Sequence, residues 1–208
     1  MIELLSNPLQ KDSASWIQTG IRQLMEIANI QLQQLSAVSI SAGPGSYTGL
    51  RVGMATAKGL CYALNIPLVT INTLKMMAVA AQNEETDLIC PMIDARRMEV
   101  FTAIYDKSLG EIISPHNIIL DENSFGEILK NKKILFFGNG STKFEALIKS
   151  TNAGFKQIEV NAKQLVTLSF AAYKQRLFAD LAYSEPFYGK AFYSPAFNHL
   201  GIKIKFNQ

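Results

Sequence analysis

The sequence predicts an α/β protein of two halves, residues 1–100 and 101–208. Strand-like, β-branched runs alternate with helical patterns in the first half, and this order favours parallel strands covered by helices. The order of elements changes after about Tyr105, which indicates a second α/β unit. The chain has 208 residues, of which 48% are hydrophobic and 18% are charged, enough for one large domain or two small ones.

The first half is assigned from helical spacing and from short apolar runs. Apolar residues recur at helical spacing from Trp16 onward, and either Asp12 or Ser13 caps that helix. The predicted elements are a helix to Asn29, strand 37–41, a helix from Thr48 to Leu64, strand 67–71, a helix that Thr73 caps and that runs through Ala81, and strand 88–94. Pro91 counts against a central position for the last strand, because proline cannot donate a ladder hydrogen bond.

The second half is predicted to begin with a hairpin, in which residues 98–105 pair with the preceding strand. The later predicted elements are strand 110–120, a helix from Asp121, strand 133–137, a helix at 142–149, a strand near 158–160 and a helix from Leu165 to about Leu181. An irregular arm rich in aromatic residues follows from Tyr183.

Composition excludes several classes of protein. The net charge is only +3 and the basic residues are scattered, so the chain is not expected to bind nucleic acid by itself. Cys61 and Cys90 fall inside a predicted helix and a predicted strand, which favours reduced thiols over a disulfide scaffold. No apolar run reaches the roughly 18 residues of a membrane span, and the first residues lack the features of a signal peptide. We therefore expect a soluble, cytoplasmic protein.

Residues 41–53, Ser-Ala-Gly-Pro-Gly-Ser-Tyr-Thr-Gly-Leu-Arg-Val-Gly, are the most distinctive segment of the chain. They lie at a strand-to-helix turn, where backbone N–H groups and a helix N-terminus favour anions. The segment differs from a Walker loop, because Gly49 is followed by Leu50 instead of lysine. It also differs from the dinucleotide fingerprint, which needs its third glycine three residues after the second, because Gly49 comes four residues after Gly45. It is either a nucleotide-binding turn or a tight connection that uses glycine and proline for unusual backbone angles.

Small residues recur on the helix that follows this loop. Gly49, Gly53 and Ala57 fall four apart on one face, although each interior glycine costs about 0.5–1 kcal/mol relative to alanine. Close approach of another backbone would offset that cost, either inside the fold or from a partner subunit. Arg51 and Lys58 share one side of the helix and either flank such a contact or form a solvated face.

The chain is poor in catalytic side chains. His116 and His199 are not spaced for a metal site, and no Gly-x-Ser-x-Gly turn supports a serine nucleophile. Asp94 is the strongest candidate for a functional carboxylate, because it lies at the end of an apolar strand. It either approaches Mg²⁺ or a ribose hydroxyl, or it caps the hairpin and pairs with Arg96 or Arg97. The second alternative is favoured.

These motifs resemble the TsaB family, also called YeaZ. The resemblance rests on residues 41–53, 57–60, 72–74, 93–96 and 99–100, with a similar tail at 185–188. The loop that carries the main motif comprises Gly43, Pro44, Gly45, Ser46, Tyr47 and Thr48. The resemblance implies an actin-like ATPase-domain fold of the ribonuclease H-like type, with two α/β subdomains. TsaB proteins normally begin with a strand hairpin that this chain lacks, so the resemblance implies a longer natural protein and an unpaired edge in the first sheet.

The resemblance also implies a function. TsaB is a non-catalytic partner of its paralogue TsaD in making N6-threonylcarbamoyladenosine at position 37 of tRNAs that read codons beginning with A. TsaD carries the metal-binding histidines, and the ATPase TsaE joins the complex. No metal or cofactor is expected to bind this chain alone. ATP or ADP is expected only in the complex, with Asp94 as the nucleotide-proximal residue of this chain, and tRNA is expected to be contacted only through the complex. We expect the TsaD interface, and a competing homodimer, on helix 48–64, with Gly49, Arg51, Gly53, Ala57 and Lys58 as candidates.

Two alternatives stay open from the sequence. The first is a stand-alone enzyme of the same superfamily, either a nucleotide-dependent phosphotransferase or a peptidase of the M22 glycoprotease type, with Asp94 essential. The second is a structural homodimer without partners in tRNA modification.

Overall fold

Two β-sheets organise the chain, and the computed structural model describes residues 3–7 and 13–189. The helices of these residues are α1 (Ser13–Ala28), α2 (Tyr47–Leu64), α3 (Thr73–Ala80), α4 (Gly126–Leu129), α5 (Ser141–Glu145) and α6 (Ala162–Lys174). The strands are β1 (Val38–Ser41), β2 (Leu68–Ile71), β3 (Leu88–Asp94), β4 (Glu99–Asp106), β5 (Glu111–Ile119), β6 (Ile134–Phe137) and β7 (Ala153–Phe155). The α/β class is confirmed.

The first sheet is the parallel pair β1 and β2, aligned from Val38 with Leu68 to Ser41 with Ile71. This is the arrangement that the strand–helix–strand order predicts, because a parallel pair needs a crossover connection. Helix α2 is that crossover and packs on β1. Helix α6 returns from late in the chain and contacts β2, α3 and β1.

The second sheet has the strand order β5-β4-β3-β6-β7. Strand β3 lies at its centre, antiparallel to β4 and parallel to β6. The expectation that Pro91 disfavours a central strand is therefore wrong. The pairing of β3 with β4 passes from Ile89 directly to Met92. At the gap, the Thr102 hydroxyl donates a 2.9 Å hydrogen bond to the Pro91 carbonyl. A side chain thus satisfies the backbone where proline interrupts the ladder.

A cluster of aromatic rings lies within the core of the second sheet. Phe136 on β6 and Phe144 on α5 are fully buried, and their ring centroids lie 4.9 Å apart. Phe125 and Phe155 each place a ring 5.4 Å from Phe136. This packing holds the short helix α5 against the carboxyl ends of β3 and β6.

Several boundaries differ from the sequence prediction. Asn72, not Thr73, caps α3, because its side chain accepts hydrogen bonds from the backbone of Leu74 and Lys75. The strand expected near 158–160 lies at β7 instead, α5 is shorter than predicted, and α6 begins and ends earlier. The stretch from Asp121 is a turn that becomes helical only at Gly126.

The sheets divide between α3 and β3, upstream of residue 100. The third predicted strand, β3, therefore belongs to the second sheet and not to the first. The division into subdomains 1–100 and 101–208 stays a prediction. The alternative cap Asp12 and the arm beyond Gly189 lie outside the described residues.

Candidate functional site

The motif loop, Gly43–Ser46, connects β1 to α2 and is fixed on both sides. Its Gly43 carbonyl accepts a 2.8 Å hydrogen bond from the Thr73 amide at the start of α3. Ser46 caps α2 by accepting a 3.4 Å bond from the Gly49 amide. Gly43 has a φ of +113° and is buried with Pro44, and the peptide bond between them is cis. The loop therefore uses its glycine for a left-handed backbone angle, as the tight-connection alternative requires.

A segment late in the chain crosses this loop; we call it the strap, Ala179–Gly189. The Phe187 amide donates a 2.7 Å hydrogen bond to the Ala42 carbonyl. A Cβ atom at Gly43 would collide with the Phe187 carbonyl oxygen. The strap thus lies directly on the motif loop, and Gly43 is the residue that lets the two backbones approach.

Arg51 contacts the strap at Tyr188 and also lies over the Tyr47 ring of its own helix. Its Nε donates a 3.0 Å hydrogen bond to the Tyr188 hydroxyl, and its guanidinium carbon lies 4.3 Å from the centroid of the Tyr47 ring. The rings of Tyr47 and Tyr188 are 5.0 Å apart. The hydrogen bond to Tyr188 raises the pKa of Arg51, because it favours the charged guanidinium.

Lys58, further along α2 than Arg51, binds the same strap. Its Nζ donates hydrogen bonds of 3.0 and 3.2 Å to the carbonyls of Ala182 and Ser184. Arg51 and Lys58 therefore do lie on one side of α2, and within this chain their partner on that side is the strap.

The inner face of α2 carries two of the predicted interface residues. Ala57 is only 5% exposed and belongs to the core formed with Met54, Cys61 and Leu68. A Cβ atom at Gly53 would lie 3.1 Å from the Ile40 side chain on β1. Gly53 and Ala57 thus face the interior, which is the close approach inside the fold that the sequence left open. Their part in a partner interface stays a prediction.

The outer face of α2 carries a second row of small residues at the same spacing, Ala55, Gly59 and Ala63. Ala55, Gly59 and Ala63 are exposed, and a Cβ atom at Gly59 would meet nothing within 4 Å. Tyr62 beside them is 83% exposed. An open groove of about 380 Å³ between α1 and α2 reaches this face at Gly59. Gly49, at the first turn, is half-buried beside Ser46, and Thr48 is exposed.

Asp94 is the last residue of β3, and both its carboxylate and its backbone amide form hydrogen bonds. Its Oδ1 accepts 2.6 Å hydrogen bonds from the Lys143 ammonium and from the Arg96 amide. Its own amide donates to Asn139 Oδ1 at 2.9 Å. The Lys143 ammonium, followed by the Arg96 amide, lowers the pKa of Asp94. The hairpin cap is confirmed, but the partner cation is Lys143 and not the side chain of Arg96 or Arg97.

Sequence reasoning missed Lys143, Asn139 and Tyr188. The sequence does contain a signal for Asn139 and Lys143. Residues 138–141, Gly-Asn-Gly-Ser, lie at the end of β6 and repeat the Gly-x-Gly-Ser pattern of the motif loop, which draws attention to the residues in and just after this turn. Nothing in the local sequence indicates that Tyr188 reaches Arg51, since the two residues are far apart in the chain.

The histidine and cysteine side chains of the described residues do not form a common site. His116 lies on β5, where its Nδ1 is 2.9 Å from the Ser114 carbonyl, and His199 lies outside the described residues. Cys61 and Cys90 are buried free thiols. In residues 3–7 and 13–189 we find no group of three or more His, Cys, Asp or Glu side chains placed to hold a metal. Over the same ranges, no helix has the length and apolar character needed to cross a bilayer.

Comparison with known proteins gives consistent relatives. The sequence model of the family described as "TsaD: tRNA N6-adenosine threonylcarbamoyltransferase" matches residues 8–198. The tRNA threonylcarbamoyladenosine biosynthesis protein TsaB of Bacillus subtilis is 30% identical over 146 residues, which cover 68% of this chain and 62% of that protein. The protein of the same name from Haemophilus influenzae is 27% identical over 178 residues, covering 81% and 75%. The chain thus matches less than two thirds of the Bacillus protein.

Solved structures show the same fold. A Pseudomonas aeruginosa protein described as similar to the peptidase YeaZ superposes with a TM-score of 0.74 at 21% identity, over 85% of this chain and 84% of that one. At this level of identity the likeness establishes the fold alone.

Proposed function

This chain belongs to the TsaB (YeaZ) family, within the wider family of the TsaD model, and from this premise we propose that it is a partner subunit of TsaD. Its role is in the synthesis of N6-threonylcarbamoyladenosine on tRNA, without catalysis of its own. The similarity to the Bacillus TsaB protein over 68% of this chain carries the proposal, and the family match over residues 8–198 connects the chain to the same tRNA modification. The names of the Bacillus and Haemophilus relatives support it, because both describe biosynthesis of this nucleoside.

The outer face of α2 is the proposed docking surface for TsaD. Small side chains allow another helix to approach closely, and large exposed aromatic residues are enriched in protein interfaces. Ala55, Gly59 and Ala63 supply the first feature and Tyr62 the second. This moves the proposed contact away from Gly53 and Ala57, which pack inward. A second copy of this chain would compete for the same face.

Other members of the complex follow from the same premise. We propose that TsaE joins it, that tRNA is contacted only within it, and that ATP or ADP binds there. Asp94 is the proposed nucleotide-proximal residue of this chain. Its Oδ1 already accepts bonds from the Lys143 ammonium and the Arg96 amide, so a nucleotide hydroxyl or a nucleotide-bound cation would approach the other carboxylate oxygen, Oδ2, or displace Lys143.

The docking surface is tested by a matched pair of glycine substitutions. Gly59→Leu places a bulky side chain on the outer face of α2, while Gly126→Leu does the same at α4, where the added Cβ also meets nothing within 4 Å. We expect Gly59→Leu to reduce co-purification with TsaD at least about tenfold, the scale of a central interface residue, while Gly126→Leu binds normally. Circular dichroism checks that both variants are folded. Normal binding by folded Gly59→Leu refutes this surface.

The function is tested by depletion and rescue in cells. Mass spectrometry of tRNA nucleosides should show loss of threonylcarbamoyladenosine on depletion and its return with this chain. Normal levels after depletion would favour the structural homodimer. Turnover of ATP or proteolysis by the purified chain alone, abolished by Asp94→Asn, would favour the stand-alone enzyme.

A further inference from the structure

The strap is attached differently at its two ends. At its start, the Ala179 amide donates a 2.9 Å hydrogen bond to the Leu68 carbonyl, which adds an antiparallel bridge to the first sheet. The Asp180 carboxylate then accepts bonds from the amides of Ala182 and Tyr183 and fixes a turn. The start of the strap is therefore part of the sheet.

The far end of the strap spans the two sheets. Phe187 binds the Ala42 carbonyl at the end of β1. Two residues later, Gly189 lies against the Phe101 ring of β4, so closely that an added Cβ would be 2.6 Å from that ring. The closed strap thus joins the motif loop to the second sheet.

Apart from the packing of Gly189 on the Phe101 ring, the contacts that hold this far end are polar and accessible to water. Arg51 is exposed, and Phe187 keeps 43% of its surface in solvent. The Tyr47–Arg51–Tyr188 cluster and the Phe187 amide bond hold this end, with little apolar burial at Phe187. Segments with few buried apolar contacts open locally at much lower free energy than the whole domain.

We propose that Tyr47, Arg51 and Tyr188 form a latch that keeps the strap closed over the motif loop, with the hinge at Ser184, the last residue of the strap that Lys58 holds. When the latch releases, residues 185–189 lift, the Ala42 carbonyl and Gly43 become accessible, and the link to Phe101 is broken. Arg51 is then a positioning residue for the strap. The latch is a property of this chain and does not depend on the proposed partner.

Hydrogen exchange of single amides in the full chain tests the latch. The Ala179 amide reports the anchored start of the strap and the Phe187 amide reports its far end. We expect Arg51→Gln to speed exchange at Phe187 about tenfold, from loss of one hydrogen bond and one cation–π contact. Exchange at Ala179 should stay unchanged, because its bond to Leu68 lies on the other side of the hinge.

Two further variants keep the test decisive. Arg22→Gln on α1 removes the same charge from an exposed helix position and should leave Phe187 exchange unchanged. Tyr188→Phe removes only the hydroxyl acceptor and should speed Phe187 exchange less than Arg51→Gln, with a double variant that falls short of additivity. Unchanged exchange at Phe187 in folded Arg51→Gln overturns the proposal, and so does equal acceleration at Ala179 and Phe187, which indicates general destabilisation.

Discussion

The chain uses the sequence Gly-x-Gly-Ser at the ends of two strands, once in each sheet. After β1, Gly43–Ser46 leads into α2, a helix of 18 residues; after β6, Gly138–Ser141 leads into α5, a helix of 5 residues. The first glycine of each loop has a positive φ, +113° in one and +95° in the other. Both loops therefore begin with a glycine at positive φ between the end of a strand and a helix.

The two loops differ in what packs on them. A Cβ atom at Gly43 would strike the carbonyl of Phe187 in the strap, whereas one at Gly138 would strike the carbonyl of Met92 in the central strand. A Cβ atom at Gly140 would lie 2.9 Å from the Val100 side chain and 3.0 Å from the Ile93 backbone. The pattern thus marks a turn on which another backbone packs. In the first sheet that backbone is a surface segment, and in the second it is the core.

The largest predicted effect separates the two first glycines. Gly138→Ala should lower the free energy of unfolding by about 2–4 kcal/mol, because strain at positive φ adds to overpacking against β3. Gly43→Ala should cost about 1–2 kcal/mol, since the strap can move away. Urea denaturation of both variants measures the difference. A cost at Gly43 equal to that at Gly138 would mean that the strap is as rigid as the central strand.

The next effect separates the two faces of the helix that follows the first loop. Gly53→Leu should cost about 1–3 kcal/mol, because the side chain must push against Ile40. Gly59→Leu, on the open face, should be neutral or stabilising by up to about 1 kcal/mol from the better helix propensity of leucine. Thermal melts followed by circular dichroism compare them. Equal destabilisation by both would contradict the assignment of inner and outer faces.

A smaller effect compares the serines that close the two loops. The Ser141 hydroxyl donates a 2.8 Å bond to the Gly138 carbonyl inside the protein, so Ser141→Ala should cost about 1–2 kcal/mol. Ser46→Ala loses a long 3.4 Å cap at an exposed position and should cost about 0.5 kcal/mol. Denaturant midpoints at constant m-value resolve this order, and the reverse order would show that the cap of α2 is stronger than its geometry indicates.

The smallest effect concerns the charge beside the second loop. The Lys143 ammonium lowers the pKa of Asp94, so the stability from this pair is complete above the ordinary aspartate pKa of about 4. It is lost as the pH falls through the lowered value. In Lys143→Gln, the Asp94 pKa measured by NMR titration should rise toward the ordinary range. Lys130→Gln, which removes an exposed lysine paired with Glu127, is the control and should not change it.

Much of the fold could be read from local pattern. Strands β1, β2, β3 and β6, which are short apolar runs, and the long helix α2 were predicted within one or two residues. Their periodicity or apolar character is strong, and glycine or proline lies near their ends. Weak segments were misplaced. Strand β7 has three residues and no alternation, so only its pairing with β6 defines it.

The candidate site divided in the same way. The motif loop and its role as a strand-to-helix turn followed from its position between a β-branched run and a helical pattern. The orientation of α2 did not, because two rows of small residues with the same spacing lie on opposite faces of the helix. The contact of Gly53 with Ile40 and the burial of Ala57 in the core showed which row faces inward.

The sequence by itself determined the α/β class, the parallel crossover through α2, the family and the turn at the motif loop. These depend on residues close together in the chain, whose spacing and backbone preferences act locally. The tertiary structure alone decided that Pro91 occupies a central strand, that Lys143 pairs with Asp94, and that Tyr188 meets Arg51. Each of these contacts joins segments that are brought together by packing of the sheets and helices, and no local pattern specifies which distant side chain will arrive.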